Sequence, residues 1–199
     1  QRDVNIALIN EMHQLYTSIG INTNEVIEAA STKWNFMKLK PGMVGGHCIS
    51  IDPYYLMHKS EMSGYSPKIM RAARKINDEM DEWVLQDFLK NMQLKNIKLD
   101  KTLITVFGYT FKENCADTRN TKVKNLILAM KDMGIQLQLW DPWILAQDHI
   151  ELNELGIVTL KKPPENIEII FLCVYHDEFQ KYLKSYNGTI YDYRKIFSN

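Results

Sequence analysis

The sequence predicts an α/β protein, in which an all-helical first half is joined by a long helix to a half built on a parallel β-sheet. In the first half, apolar residues recur every three or four positions, as in helices with one buried face. After residue 95, short β-branched runs alternate with helical patterns, which is typical of a doubly wound, Rossmann-like parallel sheet. We therefore expect two domains, residues 1–94 and residues 95–199.

The composition excludes several classes of protein. The 199 residues are 45% apolar and 24% charged, which is typical of a soluble globular chain and not of a disordered one. The 24 basic and 24 acidic residues give no net charge, which argues against nucleic-acid binding but allows a small anionic ligand held by local cations. The longest apolar run, residues 169–175, is far shorter than the ~20 residues needed to cross a bilayer.

The amino end and the cysteines indicate where the protein works. The chain opens Gln1-Arg2-Asp3, without Met or a signal-peptide pattern. We therefore expect a cytoplasmic protein with no membrane partner, whose amino end was cut from a longer chain. The cysteines are too few for a disulfide scaffold and lack zinc-ligand spacing, so no metal site is expected, although one thiol could be chemically active. They are Cys48, Cys115 and Cys173.

Three helices are predicted before residue 64. The first ends at Gly20, and a short second helix runs to Ala30 with Thr23 or Asn24 as its cap. Residues 38–52 include three glycines and a proline within six positions, so they form a loop. Pro53 suits the first turn of the third helix, which runs to about Ser63. The buried face predicted for the first helix consists of Val4, Leu8, Met12, Leu15 and Ile19.

The longest helical pattern covers residues 67–92. Pro67 opens it, and at 1.5 Å per residue it would form a rod of roughly 38 Å. A helix of that length suits either a connector between domains or a dimer surface. Its predicted apolar face consists of Ile69, Ala73, Ile76, Met80, Trp83, Val84, Phe88 and Met92.

The second half alternates strands and helices. Residues 167–174 are nearly all apolar, as expected for a central parallel strand that is covered on both faces. The predicted strands cover residues 102–107, 136–140, 167–174 and 188–191, and the predicted helices start near Thr121 and Glu178.

The glycine-rich loop around Cys48 gives the strongest local signal of chemistry. Glycines let a ligand approach the backbone closely, and a helix that starts nearby favours a thiolate. With Asp52 one helical turn further on, Cys48 suits covalent catalysis, in which the thiolate attacks a carbonyl and the acid handles protons. The alternative is a small buried thiol beside a structural turn. A dyad with His47 is geometrically awkward, because successive side chains point in different directions.

The loop after the first predicted strand gives a second signal. It lies where a Rossmann-like sheet binds phosphates, yet only Gly108 of the three-glycine fingerprint is present. Phosphate would then be held by side chains such as Lys112 and Arg119 as well as by backbone amides. The alternative is an ordinary loop with solvated charges. Asp141, at the end of the second strand, suits either a ribose hydroxyl or a turn-forming Asp-Pro.

Residues 40–56 carry a resemblance to a known family. They contain the pattern GGHCI-x-x-DPYYL, and they closely resemble the nucleotide-sugar 6-dehydrogenases, the UDP-glucose/GDP-mannose dehydrogenase family. The form of the pattern is similar to the bacterial UDP-N-acetylmannosamine or UDP-N-acetylglucosamine dehydrogenase branch. The resemblance covers essentially the whole chain, because three further stretches agree in order. They are residues 2–8, 74–78 and 111–123.

The resemblance implies a three-part enzyme, of which this chain matches two parts. Residues 1–94 would be the central helical domain, with the dimer contact and the catalytic cysteine, and residues 95–199 the UDP-binding domain. The amino-terminal NAD-binding domain would be absent, in agreement with the lack of GxGxxG. The family oxidises the C6 alcohol of a UDP-hexose or UDP-N-acetylhexosamine with two NAD molecules, through a cysteine thiohemiacetal and thioester. The product would serve bacterial surface polysaccharide synthesis.

The resemblance also implies roles for individual residues. Cys48 would be the nucleophile, and Asp52 would assist through an ordered water. NAD contacts would come from Cys48, Ile51 and Arg119, although NAD would be bound mainly by the missing domain. Lys33 would supply a charge across a homodimer. The implied substrate contacts are Lys33, Leu39, Lys40, Pro41, Gly42, Met43, Val44, Gly45, Phe111, Lys112 and Arg194.

Two other functions stay open at this point. The first is a UDP-sugar binding or dimerisation module without redox activity, which describes the isolated chain better because no hydride acceptor could dock. The second is a thiol hydrolase that uses Cys48, which the lack of a well-placed His–acid pair disfavours. Two departures from the family pattern, Tyr109-Thr110 and Ala116, touch no proposed catalytic group.

Overall fold

The computed structural model describes residues 1–197, which form two compact units. The first unit contains residues 1–80 and 194–197, and the second contains residues 81–193. This division falls earlier than the predicted boundary at residue 94. The helix that follows residue 80 supplies side chains to the core of the second unit, which is why the chain divides there.

The first unit consists of four helices and the loops that join them. Asn22 caps the second of these, because its side chain accepts a hydrogen bond from the Asn24 N–H at 3.0 Å. The expected caps Thr23 and Asn24 are therefore wrong by one or two positions. The helices are α1 (Arg2–Ser18), α2 (Thr23–Ala30), α3 (Asp52–Met62) and α4 (Lys68–Asp78).

The buried face of α1 differs from the prediction. Leu8, Leu15 and Ile19, which were expected to be buried, are 54–59% exposed. The buried positions of this helix are Asp3, Ala7, Ile9, Asn10 and His13. The apolar pattern identified the helix correctly, but α1 packs against α4 through polar side chains that hydrogen-bond to one another.

The long predicted helix is interrupted at one residue. Glu79 lies in a turn between α4 and α5 (Met80–Leu94), so the regular helix does not run unbroken over residues 67–92. Most of the expected apolar face is buried, but Ile76 and Trp83 are half-buried and Ile69 is 71% exposed. Within residues 1–197, no helix combines the length and the apolar character needed to span a membrane.

The second unit is built on a five-stranded parallel sheet with the strand order β3-β2-β1-β4-β5. This confirms the predicted parallel sheet. A short helix, α7, and the edge strand β3 were not predicted, because α7 is mostly polar and β3 is only half-buried. The elements are β1 (Ile104–Phe107), α6 (Lys122–Asp132), β2 (Leu137–Trp140), α7 (Ala146–Glu154), β3 (Val158–Leu160), β4 (Ile169–Leu172), α8 (Gln180–Ser185) and β5 (Thr189–Tyr191).

The central strands β1 and β4 are buried on both faces of the sheet. On one face, Phe88 of α5 stacks on Phe171 of β4 with ring centroids 4.7 Å apart. On the other face, Phe107 of β1 lies 4.9 Å from Phe179 and 5.1 Å from Trp140. Because β1 and β4 end at the same edge, the loops that follow them are brought side by side at this edge of the sheet.

Candidate active site

Cys48 lies on an exposed turn of the first unit. The Ile51 N–H donates to the His47 carbonyl at 2.9 Å, and the Ser50 hydroxyl donates to the Gly46 carbonyl. These bonds close the turn around Cys48, which is itself exposed. The alternative of a buried thiol beside a structural turn is therefore wrong.

Asp52 begins helix α3, immediately after this turn. Its side chain is 54% exposed, and the Oδ1 atom of Asp52 lies 3.4 Å from Nδ1 of His47. His47 thus contacts the carboxylate of Asp52. The thiol and the carboxylate are carried by the two ends of one short turn, which suits a nucleophile and an acid–base group.

Asn10 of α1 fixes the beginning of the Cys48 loop. Its side-chain amide donates to the Gly42 carbonyl at 3.1 Å and accepts from the Gly42 N–H at 2.8 Å. The same amide donates to Asn77 Oδ1 at 2.9 Å. Asn10 and Asn77 are fully buried, so the backbone at Gly42 is held from inside the unit.

Arg74 of α4 fixes the end of the same loop. One guanidinium nitrogen donates to the Ile49 carbonyl at 3.0 Å and to Asp3 Oδ1 at 2.6 Å, while the other donates to Asp78 Oδ1 at 2.5 Å. The Arg74 side chain is only 2% exposed. Burial opposes its charge, but the contacts with Tyr54, Asp78 and Asp3 outweigh that effect and raise the pKa of Arg74 above its usual value.

Sequence reasoning did not assign Asn10, Arg74 or Asn77 to the site. The signal that could have found them is the recurrence of polar residues at helical spacing. Asp3 and Asn10 are two turns apart on α1, and Arg74 and Asn77 are one turn apart on α4. Buried polar groups require partners, so polar residues on one helix face indicate a second polar face opposite.

The other predicted site residues of the first unit lie around this loop or in its flanking segments. Lys33 and Lys40 are exposed, whereas Pro41 and Val44 are buried. Arg194 is half-buried, and the side-chain amide of Asn24 holds its backbone by donating to the Arg194 carbonyl at 2.8 Å. Among the predicted site residues of this unit, the half-buried ones also include Leu39, Gly42, Met43, Gly45 and Ile51.

In the second unit, the loop after β1 carries the remaining predicted residues. Phe111 is half-buried, and the exposed Lys112 places its Nζ 5.3 Å from the centre of the Phe111 ring. An aromatic face beside a lysine is suited to a base or sugar together with a phosphate. The Phe111 N–H donates to the Asp117 carbonyl at 3.0 Å, which folds the loop back on itself.

Arg119 lies at the far end of this loop. Its side chain is 70% exposed, and it donates to Asp117 Oδ2 at 2.6 Å. This hydrogen bond is the largest cause of the lowered pKa of Asp117. Arg119 therefore presents a positive charge at the surface while it orders the loop.

Asp141 does not offer its carboxylate to a ribose hydroxyl. Its Oδ2 accepts from the Tyr109 N–H at 2.6 Å and the Thr110 N–H at 3.1 Å, and its Oδ1 accepts from the Trp143 N–H at 2.7 Å. Burial by itself would raise the pKa of Asp141, but the bonds from His176 and from these amides lower it. The structural alternative for Asp141 is therefore correct.

Both halves of the chain match models of a single protein family. Residues 1–79 match the central domain of the UDP-glucose/GDP-mannose dehydrogenase family, and residues 105–199 match the UDP binding domain of the same family. The chain belongs to the UDP-glucose/GDP-mannose dehydrogenase family. The predicted resemblance is thus confirmed, and so is the nature of the second half as a UDP binding domain.

Several dehydrogenases of this family are similar to the chain. A UDP-N-acetyl-D-glucosamine 6-dehydrogenase of Pseudomonas aeruginosa is 45% identical over 181 residues, which is 90% of this chain and 42% of that protein. A UDP-N-acetyl-D-mannosamine dehydrogenase of Methanococcus vannielii is 35% identical over 92% of this chain and 40% of its own length. The chain thus spans less than half the length of these dehydrogenases.

A solved dehydrogenase of the family has the same fold. The structure of a UDP-D-ManNAc dehydrogenase from Pyrococcus horikoshii superposes with a TM-score of 0.80 and 28% sequence identity, over 100% of this chain and 46% of that one. The structure of an NDP-N-acetyl-D-galactosaminuronic acid dehydrogenase from Methanosarcina mazei superposes with a TM-score of 0.83 and 22% sequence identity, over 99% of this chain and 45% of that one. The α/β fold of a helical part and a parallel-sheet part is therefore that of the family.

Proposed function

We propose that this chain supplies the thiol-bearing and UDP-binding parts of an NAD-dependent UDP-sugar 6-dehydrogenase. Its substrate would be a UDP-N-acetylhexosamine or a UDP-hexose, and its product a UDP-linked uronate for bacterial surface polysaccharide synthesis. The observation that carries the proposal is the exposed Cys48, on a loop held at Gly42 by Asn10 and at Ile49 by Arg74. A fixed, accessible thiol is what covalent capture of an aldehyde requires, and the carboxylate of Asp52 follows it at the start of α3.

Cys48 would act as the nucleophile once the C6 alcohol has lost its first hydride. Its thiolate adds to the aldehyde carbon, and the oxyanion takes up a proton to give a thiohemiacetal. Loss of this proton and a second hydride forms a thioester, which water hydrolyses with departure of the thiolate. In total, the alcohol and one water give a carboxylate, two hydrides and three protons. The covalent bond also retains the aldehyde between the two oxidations.

Asp52 would handle protons in the hydrolytic step. Its carboxylate is half exposed at the start of α3, so a water can reach it. That water would lose a proton to Asp52 as its oxygen attacks the thioester carbon. His47, 3.4 Å from Asp52 Oδ1, would orient the carboxylate.

Arg119 fits a contact with NAD, because its guanidinium is exposed and one edge is already anchored to Asp117. Cys48 and Ile51 would lie near the reacting carbon, as the family resemblance implies. The chemistry that NAD supplies when bound is acceptance of the two hydrides. Residues of this chain would then contribute by holding the reacting carbon, as a thiohemiacetal until the second hydride has left and as a thioester only afterwards.

Phe111 and Lys112 would bind the nucleotide of the substrate. The Phe111 ring suits the base or ribose, and the Lys112 ammonium suits the diphosphate. The segment of residues 39–45 would contact the sugar through backbone groups, Lys33 would contribute from a partner copy in a homodimer, and Arg194 would add a further substrate contact. For the 199-residue chain by itself, we propose UDP-sugar binding without turnover.

The test is an activity assay of the longer dehydrogenase that would contain this chain. With NAD and UDP-N-acetylglucosamine, UDP-N-acetylmannosamine or UDP-glucose, we expect formation of NADH with at least one sugar. Cys48→Ala removes the nucleophile and is expected to lower the rate of uronate formation by about three orders of magnitude or more.

Cys115→Ala is the matched control, because Cys115 is a half-buried thiol of the other unit. It should retain most of the activity. A Cys48→Ala variant that produces uronate at the normal rate would contradict the covalent mechanism. Absence of NADH with every UDP-sugar would contradict the assignment as a dehydrogenase.

A further inference from the structure

His176 is a fully buried side chain that the proposed mechanism does not use. It follows β4, and its ring lies between the loop after β1 and the end of β2. Nδ1 accepts a hydrogen bond from the Asn114 N–H at 2.9 Å, and Nε2 lies 3.0 Å from Asp141 Oδ2. The ring therefore joins three segments at the carboxyl edge of the sheet.

The neighbours of His176 determine which nitrogen carries the proton. A backbone N–H can only donate, so Nδ1 must be the unprotonated acceptor. The Thr110 hydroxyl donates to the Lys112 carbonyl at 3.0 Å, so its oxygen is an acceptor for Nε2 at 3.2 Å. The ring is thus a neutral imidazole with its proton on Nε2, directed at Asp141 and Thr110.

His176 contacts the turn that carries Phe111 and Lys112 at both of its ends, through the Thr110 hydroxyl and the Asn114 N–H. Thr110 holds the Lys112 carbonyl, and His176 holds the Asn114 N–H two residues later. Asn114 adopts a left-handed conformation with φ 53°, and its side chain accepts from the Asp177 N–H at 3.0 Å. The turn is therefore tied from both sides to the segment that contains His176.

We infer that His176 is a positioning residue for the nucleotide: with Asp141 it fixes the turn of residues 110–114, and thereby the Phe111 ring and the Lys112 ammonium. The parallel sheet has its topological switch between β1 and β4, where ligands bind in folds of this kind. His176 lies under the loop at that switch and does not itself touch the nucleotide. The inference rests on the proposed binding of UDP by Phe111 and Lys112.

The test is UDP binding to the 199-residue chain, measured by calorimetry. His176→Phe keeps an aromatic ring but removes the partner of the Asn114 N–H and one of the four partners of Asp141, and is expected to weaken UDP binding by about tenfold or more. His176→Asn keeps an acceptor at the position of Nδ1 and should restore affinity to within about threefold of the unsubstituted chain. His149→Phe is the matched control, because it removes a similar histidine–hydroxyl contact, with Thr159, from α7. It should leave UDP binding unchanged.

A spectroscopic measurement separates positioning from mere support of the fold. Nitrogen NMR of the histidine rings should show Nδ1 of His176 unprotonated and Nε2 protonated, and UDP should shift the Asn114 amide signal. A proton on Nδ1, or full UDP affinity in folded His176→Phe, would overturn the inference and leave the proposed function intact. If His176→Phe does not fold, the ring nitrogens and the His176→Asn affinity decide. Absence of UDP binding to the unsubstituted chain would instead overturn the proposed function, and the inference with it.

Discussion

Arg74 holds the end of the Cys48 loop from inside the first unit. A cation that is 2% exposed would be costly to bury, but Asp3 and Asp78 neutralise it and the Ile49 carbonyl accepts from it. Removal of Arg74 would leave the carboxylates of Asp3 and Asp78 without the cation that they face. The residue thus links the stability of the first unit to the placement of the thiol.

Replacing Arg74 should therefore be severe. Arg74→Met fills a similar volume but leaves Asp3 buried without its cation, and we expect a loss of about 3–5 kcal/mol in the free energy of unfolding. Chemical denaturation measures this loss. Arg71→Met on the same helix is the control, because Arg71 pairs with Glu61 at an exposed position and its loss should cost about 1 kcal/mol or less. Equal costs for the two variants would contradict the role of Arg74.

The same residues show what the sequence could and could not predict. Periodicity predicted α1, and the glycines and proline of residues 41–46 predicted the loop that carries Cys48. Periodicity assigned Leu8 and Leu15 to the interior, however, because it registers apolar side chains and cannot register a buried face made of paired polar groups. Asn10 and Asn77 are 67 positions apart in the chain, so their hydrogen bond is visible only in the folded protein.

Among the elements, the junction of β1 with its loop requires a glycine. Gly108 has φ +87°, and its N–H donates to the Trp140 carbonyl at 3.1 Å. A Cβ at this position would lie 2.7 Å from the Cβ of Val174, in the segment after β4. The close approach of these two segments is what brings the Phe111 loop next to His176.

Gly108→Ala should therefore destabilise the second unit by more than the strain of a left-handed backbone at alanine would explain. Gly134→Ala is the control, since Gly134 has φ +78° but nothing within 4 Å of an added Cβ. We expect Gly134→Ala to cost about 1–2 kcal/mol from its left-handed backbone, and Gly108→Ala at least about 2 kcal/mol more from the clash. Denaturant unfolding of both variants measures the difference. Similar costs would show that the segment after β4 moves aside freely.

The strands and the parallel sheet could be predicted from the apolar runs, because central parallel strands are buried on both faces. The roles of Asp141 and His176 could not be predicted from the sequence. Asp141 follows a strand, where the sequence allowed a ribose contact or a turn, and only the positions of the Tyr109 and Thr110 amides decided between them. His176 carried no motif at all.

On the scale of the whole molecule, the chain consists of two units whose interiors are built differently. The first unit contains a hydrogen-bonded polar network between α1 and α4, and the second an aromatic and aliphatic core on a sheet. In the second unit the principal buried carboxylate at the sheet edge is Asp141, which faces His176 and the amides of Tyr109, Thr110 and Trp143.

Asp141 should make the second unit sensitive to acid. Because its pKa is lower in the folded protein than in the unfolded chain, its contribution to stability is complete above the unfolded pKa of about 4 and is lost as the pH falls through the lower folded pKa. The melting temperature, followed by circular dichroism, should therefore fall more steeply below about pH 4 in the unsubstituted chain than in Asp141→Asn. A parallel pH dependence in both proteins would contradict the role of this carboxylate.

The attachment of Gly42 and Ile49 has a practical consequence for altering the sugar contact proposed for residues 39–45. Both anchors lie on side chains of α1 and α4 and not within the loop itself. The intervening stretch, residues 43–46, can consequently be exchanged for that of a relative in the family without moving the points where it is fastened. Grafts that keep the two fastening points are the natural starting material for engineering a new specificity.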